Sequence, residues 1–231
     1  MKIDVALPKE TRILLAAEQV FSRLGYEKAT LDEIIALADV GKGTLYKYFG
    51  NKEQLFYKLV ADKNKPFVER LQRAMDGGAT VEQKMHGFFR EMIEFYEKNN
   101  ALWQVICFEM LSAANGFSLQ ENAEGPVLVP RISEIPVDEK VKERTLRYYR
   151  LIYDEYIIFQ KLMVKCVADG TFKYCEDAGI MSKFIFFGVA MSIFNPNYAK
   201  INSYPYDELA HMVVDRMLYG HASSPDAVRK W

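Results

Sequence analysis

Eight consecutive residues, Lys42-Gly43-Thr44-Leu45-Tyr46-Lys47-Tyr48-Phe49, concentrate the side chains best suited to chemistry in this 231-residue sequence. On a helix, Leu45 and Phe49 share a face, and with Val40 just ahead of them that face must turn inward. Lys42, Thr44, Tyr46, Lys47 and Tyr48 are left outside. Lysines and tyrosines interleaved on the outer side of a short helix make a poor solvated face and a good grip on a polyanion. Ammonium and hydroxyl groups bind phosphate oxygens, and the longer side chains reach base edges in a major groove. Gly43 contributes room, letting the helix N-terminus approach a phosphate that its dipole favours. The positive charge is local: six lysines between Gly41 and Lys65 stand against Glu53 and Asp62, a net of +4, whereas the whole chain sums to −1 and residues 66–231 to −3. Such a distribution fits a confined anionic contact.

A helix this short needs neighbours to hold it. Ile13, Leu14, Ala17, Val20, Phe21 and Leu24 recur at three- and four-residue steps and predict a first helix that Gly25 ends. Thr30 is an N-cap for the second, Glu33 completes a capping box, and Leu31, Ile34, Ile35 and Ala38 supply the apolar face. Ala38-Asp39-Val40-Gly41 then makes the turn. Asp tolerates left-handed backbone better than most residues, and Val40 can plug inward. Three short helices with a tight turn before the third form a helix-turn-helix.

Gly50-Asn51 ends the third helix and Lys52-Glu53 opens a fourth, carrying Leu55, Phe56, Leu59 and Val60 and continuing through Phe67, Val68, Leu71 and Met75. An interruption or kink is expected at Pro66, which lacks an N–H and crowds the preceding turn. Periodicity predicts further helices at about Val81–Lys98, Ala101–Ala114, Val137–Ala168, Glu176–Phe194 and Tyr206–Tyr219. The stretch Asn115–Pro136, rich in Gly and Pro, reads as a long irregular loop, and no segment reads as a strand. The expected fold class is all-α: an N-terminal three-helix helix-turn-helix domain (1–65) plus a larger helical domain (66–231).

The run from Thr30 to Leu55 resembles the DNA-binding signature of TetR/AcrR-type transcriptional regulators, in particular Gly43-Thr44-Leu45-Tyr46-Lys47-Tyr48-Phe49 followed by Lys52-Glu53-Gln54-Leu55. The resemblance covers roughly residues 9–57. It departs in the turn, where Asp39 replaces the usual Gly and Gly41 the usual Ser-like cap. It implies that Thr30 and Lys52 meet phosphates. It also implies that Lys42, Gly43, Thr44, Tyr46, Lys47 and Tyr48 form the operator surface, with Tyr46 and Lys47 nearest the bases. It implies too that residues 66–231 bind a small-molecule effector and dimerise through the last two helices, and that effector binding shifts the fourth helix. The partners are then double-stranded operator DNA, a second copy of the chain, and an unknown hydrophobic effector; repression from a palindromic operator is the commoner mode.

The larger part of the chain is rich in aromatic stripes. Trp103 and Phe108 lie in a segment apolar nearly all round, Tyr149, Ile152, Tyr153, Phe159 and Met163 on a long helix, and Phe187 on the next. These stripes suit a core as well as a pocket. Glu109 and Glu155 interrupt them, and a carboxylate there needs a partner. A salt bridge to Arg147 or Arg150 is the favoured one, a cationic or hydrogen-bonding effector the other. These ten residues are the ligand-contact candidates. Asp207, His211 and Asp215 recur at i, i+4 and i+8, but three ligands along one helix converge poorly and no metal is assigned. Cys107, Cys166 and Cys175 match neither zinc spacing nor a disulfide framework. No nucleophile elbow, phosphate loop or clustered histidines suggest an enzyme, and no cofactor is expected. No run is apolar and long enough for a membrane span and no signal peptide is recognisable, which leads to the expectation of a cytoplasmic protein. An interaction module whose altered turn no longer binds DNA stays open as the alternative.

Overall fold

The computed structural model describes residues 3–113, 117–122, 125–130, 139–172, 177–194 and 203–220, without the side chains of 108–113, 117–119, 121 and 130. Among these lie nine helices: α1 (Lys9–Lys28), α2 (Leu31–Ala38), α3 (Lys42–Phe49), α4 (Lys52–Gly77), α5 (Val81–Lys98), α6 (Asn100–Ala113), α7 (Glu139–Ala168), α8 (Ala178–Phe194) and α9 (Tyr206–Tyr219). The all-α class holds, with one addition. Strands β1 (Phe117–Asn122) and β2 (Gly125–Pro130) form an antiparallel hairpin, Phe117 opposite Pro130 and Asn122 opposite Gly125, within the stretch read from sequence as irregular loop. The prolines concealed it. Pro126 and Pro130 have the same parity, so a two-stranded ribbon accommodates both on its outer edge, where no N–H is needed.

The chain forms two compact units, one of Met1–Pro66 with Asn99–Asp154, the other of Phe67–Lys98 with Glu155–Trp231. In the first, Ile13, Ala16, Ala17, Val20 and Phe21 of α1 are buried with Ile34, Ala38, Leu45, Leu55 and Phe56. Phe21 and Phe56 meet edge to face at 5.1 Å. Gly25 takes φ +74°, a conformation that ends the regular part of α1 before a last turn. Helix α7 is tied to α4 in this unit: Tyr148 packs on Phe56 and Tyr57, and the buried Asn64 donates to the Leu151 carbonyl at 3.1 Å.

In the second unit α5 is central, packing on α8 and α9. Its Phe88 and Phe89 lie 5.4 and 5.2 Å from the Phe159 ring, and Phe186 joins them beside Tyr156. Phe67 stacks on Phe95 at 3.7 Å.

Pro66 does not interrupt α4, which is helical from Lys52 to Gly77. The proline removes one intrahelical bond, to the Asp62 carbonyl, whereas the buried Leu59, Val60, Phe67 and Leu71 hold the helical period on both sides of it.

Candidate nucleic-acid interface

Local chemistry sets the reading head. The Glu33 amide donates to Thr30 Oγ1 at 3.2 Å, and the Thr30 amide donates to Glu33 Oε2 at 3.2 Å, so both halves of the capping box are made. At the other end of α2, Asp39 adopts φ 51°, ψ 55°, the left-handed geometry the turn requires; among the described residues it is the one non-glycine with positive φ. Its carboxylate lies 3.8 Å from the guanidinium of Arg12, a buried residue of α1 that the sequence reading passed over. The clue was available: Arg12 precedes Ile13 in the apolar stripe, and a cation there needs an anion at the surface.

Gly41 then opens α3 without a side-chain cap, and Leu45 and Phe49 are buried beneath it. Val40 is half-buried. Lys42, Gly43, Tyr46, Lys47 and Tyr48 are exposed and Thr44 half-buried, so one outward face carries two ammonium groups, two phenols and a hydroxyl. Tyr46 and Tyr48 remain 44% and 48% exposed, a large aromatic area to leave in solvent. Lys42 stands 3.6 Å from Asp32, with both side chains largely in solvent, a pairing that a phosphate can displace at small cost. Thr30 is exposed at the start of α2.

Lys52 differs from the rest. Its ammonium donates to the carbonyls of Glu27 and Ala29 at 3.2 and 3.0 Å and lies 4.5 Å from the centre of the Tyr26 ring. Beside it Asn51 Oδ1 accepts the Gln54 amide at 2.8 Å, capping α4, and Glu53 binds Arg147 of α7 at 2.7 Å.

The ligand-contact candidates are divided. Trp103, Tyr149 and Ile152 are buried and Tyr153 half-buried in the first unit, where the Tyr149 and Tyr153 rings lie 6.2 Å apart. Glu155, Phe159 and Met163 are buried and Phe187 half-buried in the second, Phe187 beside Tyr156 and Phe186. The side chains of Phe108 and Glu109, like residue Cys175, lie outside the described residues. The arginine partner expected for Glu155 is corrected: its carboxylate accepts the hydroxyl of buried Tyr96, while Arg147 is engaged by Glu53. A neutral donor already inside the fold spares the cost of burying a guanidinium. On α9, Asp207 pairs with Arg90 at 2.9 Å and its carbonyl accepts from His86 Nε2 at 3.1 Å, while Asp215 pairs with Arg216.

Comparison with known proteins agrees with this geometry. Residues 13–59 match the family described as bacterial regulatory proteins, tetR family. The HTH-type transcriptional regulator YhgD of Bacillus subtilis is 32% identical over 91 residues, 39% of this chain and 48% of that one. The fatty acid metabolism regulator protein of the same organism is 35% identical over 78 residues, 34% and 40% of the two chains. The chain thus spans about half or less of the length of these relatives. The crystal structure of the transcriptional regulator FadR from Bacillus subtilis, in complex with stearoyl-CoA, superposes with a TM-score of 0.66 at 18% identity, covering 92% of this chain and 99% of that one, a likeness of fold. Residues 13–59, running from α1 into α4, thus match the DNA-binding segment of the tetR family of bacterial regulatory proteins, and the fold of the chain is the one its solved neighbours share.

Proposed function

We propose that this protein is a sequence-specific transcriptional regulator that binds a palindromic operator as a homodimer and is released by a small hydrophobic effector. The observation that carries the reading is the outer face of α3: Lys42, Tyr46, Lys47 and Tyr48 project from a helix whose opposite side, Leu45 and Phe49, is fixed in the core. In this reading Lys42, Thr30 and Tyr48 hold phosphates and fix register, Tyr46 and Lys47 reach base edges, and Gly43 lets the start of α3 come close to the backbone. Two-fold symmetry makes the operator palindromic and sets recognition helices about 34–36 Å apart.

Support for self-association comes from α8 and α9. Ile180, Met181, Phe184 and Met191 on α8 and Met212 on α9 are large apolar side chains 41–70% exposed, and α8 is apolar on all sides. A second copy burying this face would satisfy it.

For the effector, the aromatic interior of the second unit, around Phe159, Met163 and Phe187 with Glu155, is the place to look first. Long-chain acyl thioesters head the panel, because the similar FadR structure holds stearoyl-CoA and the Bacillus subtilis relative is a fatty acid metabolism regulator. Any effector must bind the released state more tightly than the DNA-bound one, since equal affinity shifts nothing.

The test is an electrophoretic mobility shift on the protein's own upstream DNA, repeated with Tyr46→Ala and Lys47→Ala and with acyl thioesters, other hydrophobic compounds and cationic compounds added. The reading expects a shifted band that both substitutions abolish and one effector class dissociates. Unchanged binding by the two variants would overturn the α3 assignment.

A further inference from the structure

We infer that Lys52 is a positioning residue of the reading head, holding the start of α4 to the α1–α2 linker, and not one of its phosphate contacts. This rests on the DNA-binding reading for its consequence, but not for its geometry.

Gly25 breaks α1, so the carbonyls that follow it lose the regular helical run of donors. The Ala29 amide still reaches Gly25 O at 3.3 Å. Beyond that, Ala29 is extended, and the next residue, Thr30, must already be placed to cap α2. The Lys52 ammonium fills this gap by donating to the carbonyls of Glu27 and Ala29 while its third side faces the Tyr26 ring. An ammonium has three N–H donors, so two carbonyls and an aromatic face use its whole capacity. Tyr26 is itself anchored on Phe21 and Phe56, 5.8 and 5.0 Å away. The lysine is half-buried, whereas Lys42 and Lys47 on α3 are exposed.

A phosphate would have to draw the ammonium off two carbonyls and a ring, leaving the part-buried Ala29 carbonyl without this donor, while water can reach the exposed Glu27 carbonyl. The geometry gives Lys52 a different task. It joins the first turn of α4 to the residue pair Ala29-Thr30, and through the Thr30 cap to α2 and the Asp39 turn. The head then moves with α4 as one body.

Lysine labelling of the wild-type protein by an amine-reactive reagent, read by mass spectrometry with and without operator DNA, tests the assignment directly. Lys52 should react at least about tenfold more slowly than Lys42 and Lys47 in the free protein, one ordinary hydrogen bond to a charged group being enough for that factor. Adding operator should protect Lys42 and Lys47 and leave Lys52 unchanged. Lys52→Gln should lose affinity at salt concentrations where it is fully folded, with faster amide exchange confined to residues 26–33. Its slope of log K against log salt should stay at the wild-type value, while Lys42→Gln lowers that slope by about one. Lys52→Arg, which keeps a donor able to reach both carbonyls, should recover most of the affinity. Labelling of Lys52 at the rate of Lys42, protection of it by DNA, or a slope lowered by about one in Lys52→Gln would overturn the inference. If no DNA is bound at all, the functional reading fails while labelling of the free protein still decides the role of Lys52.

Discussion

The turn at Asp39 offers a test in which the usual ranking of two residues must invert. Inside a helix alanine is more favourable than glycine by about 1 kcal/mol. At φ 51°, ψ 55° the order reverses, because a Cβ in left-handed backbone costs about 1–2 kcal/mol that glycine does not incur. Three substitutions separate the contributions. Asp39→Asn keeps a side chain that tolerates the geometry and loses only the contact to Arg12, which is 3.8 Å long with the aspartate side chain 82% exposed, so its loss should be under about 1 kcal/mol. Asp39→Gly loses that contact and adds about 0.5–1 kcal/mol of unfolded-chain entropy, offset by relief of the backbone. It should fall within about 1 kcal/mol of the parent. Asp39→Ala loses the contact and keeps the strain without a polar side chain to ease it, and should be the least stable, by about 1 kcal/mol relative to glycine. For a chain of this size that gap is about 2–4 °C in melting temperature. Thermal melts followed by circular dichroism under identical conditions read it. Alanine more stable than glycine would mean that α2 runs on helically through residue 39, and the helix-turn-helix geometry would be wrong.

Other consequences are equally direct. Tyr96→Phe removes the buried hydroxyl that donates to Glu155 and should cost about 1–3 kcal/mol, a fall of roughly 3–10 °C in melting temperature; an unchanged melt would show that the pair contributes nothing. Burial, aided by Asp169 and opposed by Lys165, holds the Cys166 thiol above its ordinary pKa. At any pH below that raised value it therefore carries less thiolate than a free cysteine, and iodoacetamide should label it quickly only after denaturation. Phe184→Asp, at a position 70% exposed on α8, should convert a dimer into a monomer of unchanged helix content in sedimentation; a persisting dimer would place the interface elsewhere.

What the sequence discloses of this protein is what short-range physics decides. The capping box needs only Thr30 and Glu33, and the turn needs only a residue that accepts positive φ, so both are legible in a stretch of ten residues. The limits of α5 and α9 coincide with the periodicity because apolar spacing fixes them. The hairpin was hidden because its strands carry proline, and proline counts against a strand unless the strand is known to be an edge. The interruption allowed for at Pro66 is absent for the converse reason: the proline's local cost is real, but packing along α4 keeps the segment helical. The partners of charged side chains were least accessible. Arg147 meets Glu53 across 94 residues of sequence and Lys52 meets Glu27 across 25, and no periodicity carries that information. Lys52 reads as a phosphate ligand from its residue type and position in the motif, and only its surroundings show where its protons go.

Those long-range pairs change how the first turn of α4 is understood. Adjacent residues on a helix point about 100° apart, so Lys52 and Glu53 can face two neighbours at once. Lys52 takes the α1–α2 linker and Glu53 takes Arg147 of α7, whose guanidinium also lies over the Tyr57 ring at 5.1 Å. The ion pair by itself, part-exposed on both sides, is worth less than about 1 kcal/mol. The stiffness of the joint comes from what lies below it: Tyr148 against Phe56 and Tyr57, and the buried Asn64 amide on the Leu151 carbonyl. Breaking that last bond strands a buried donor, which costs more than an exposed pair returns. The head is therefore held by two helices, α4 through the covalent chain and α7 through packing.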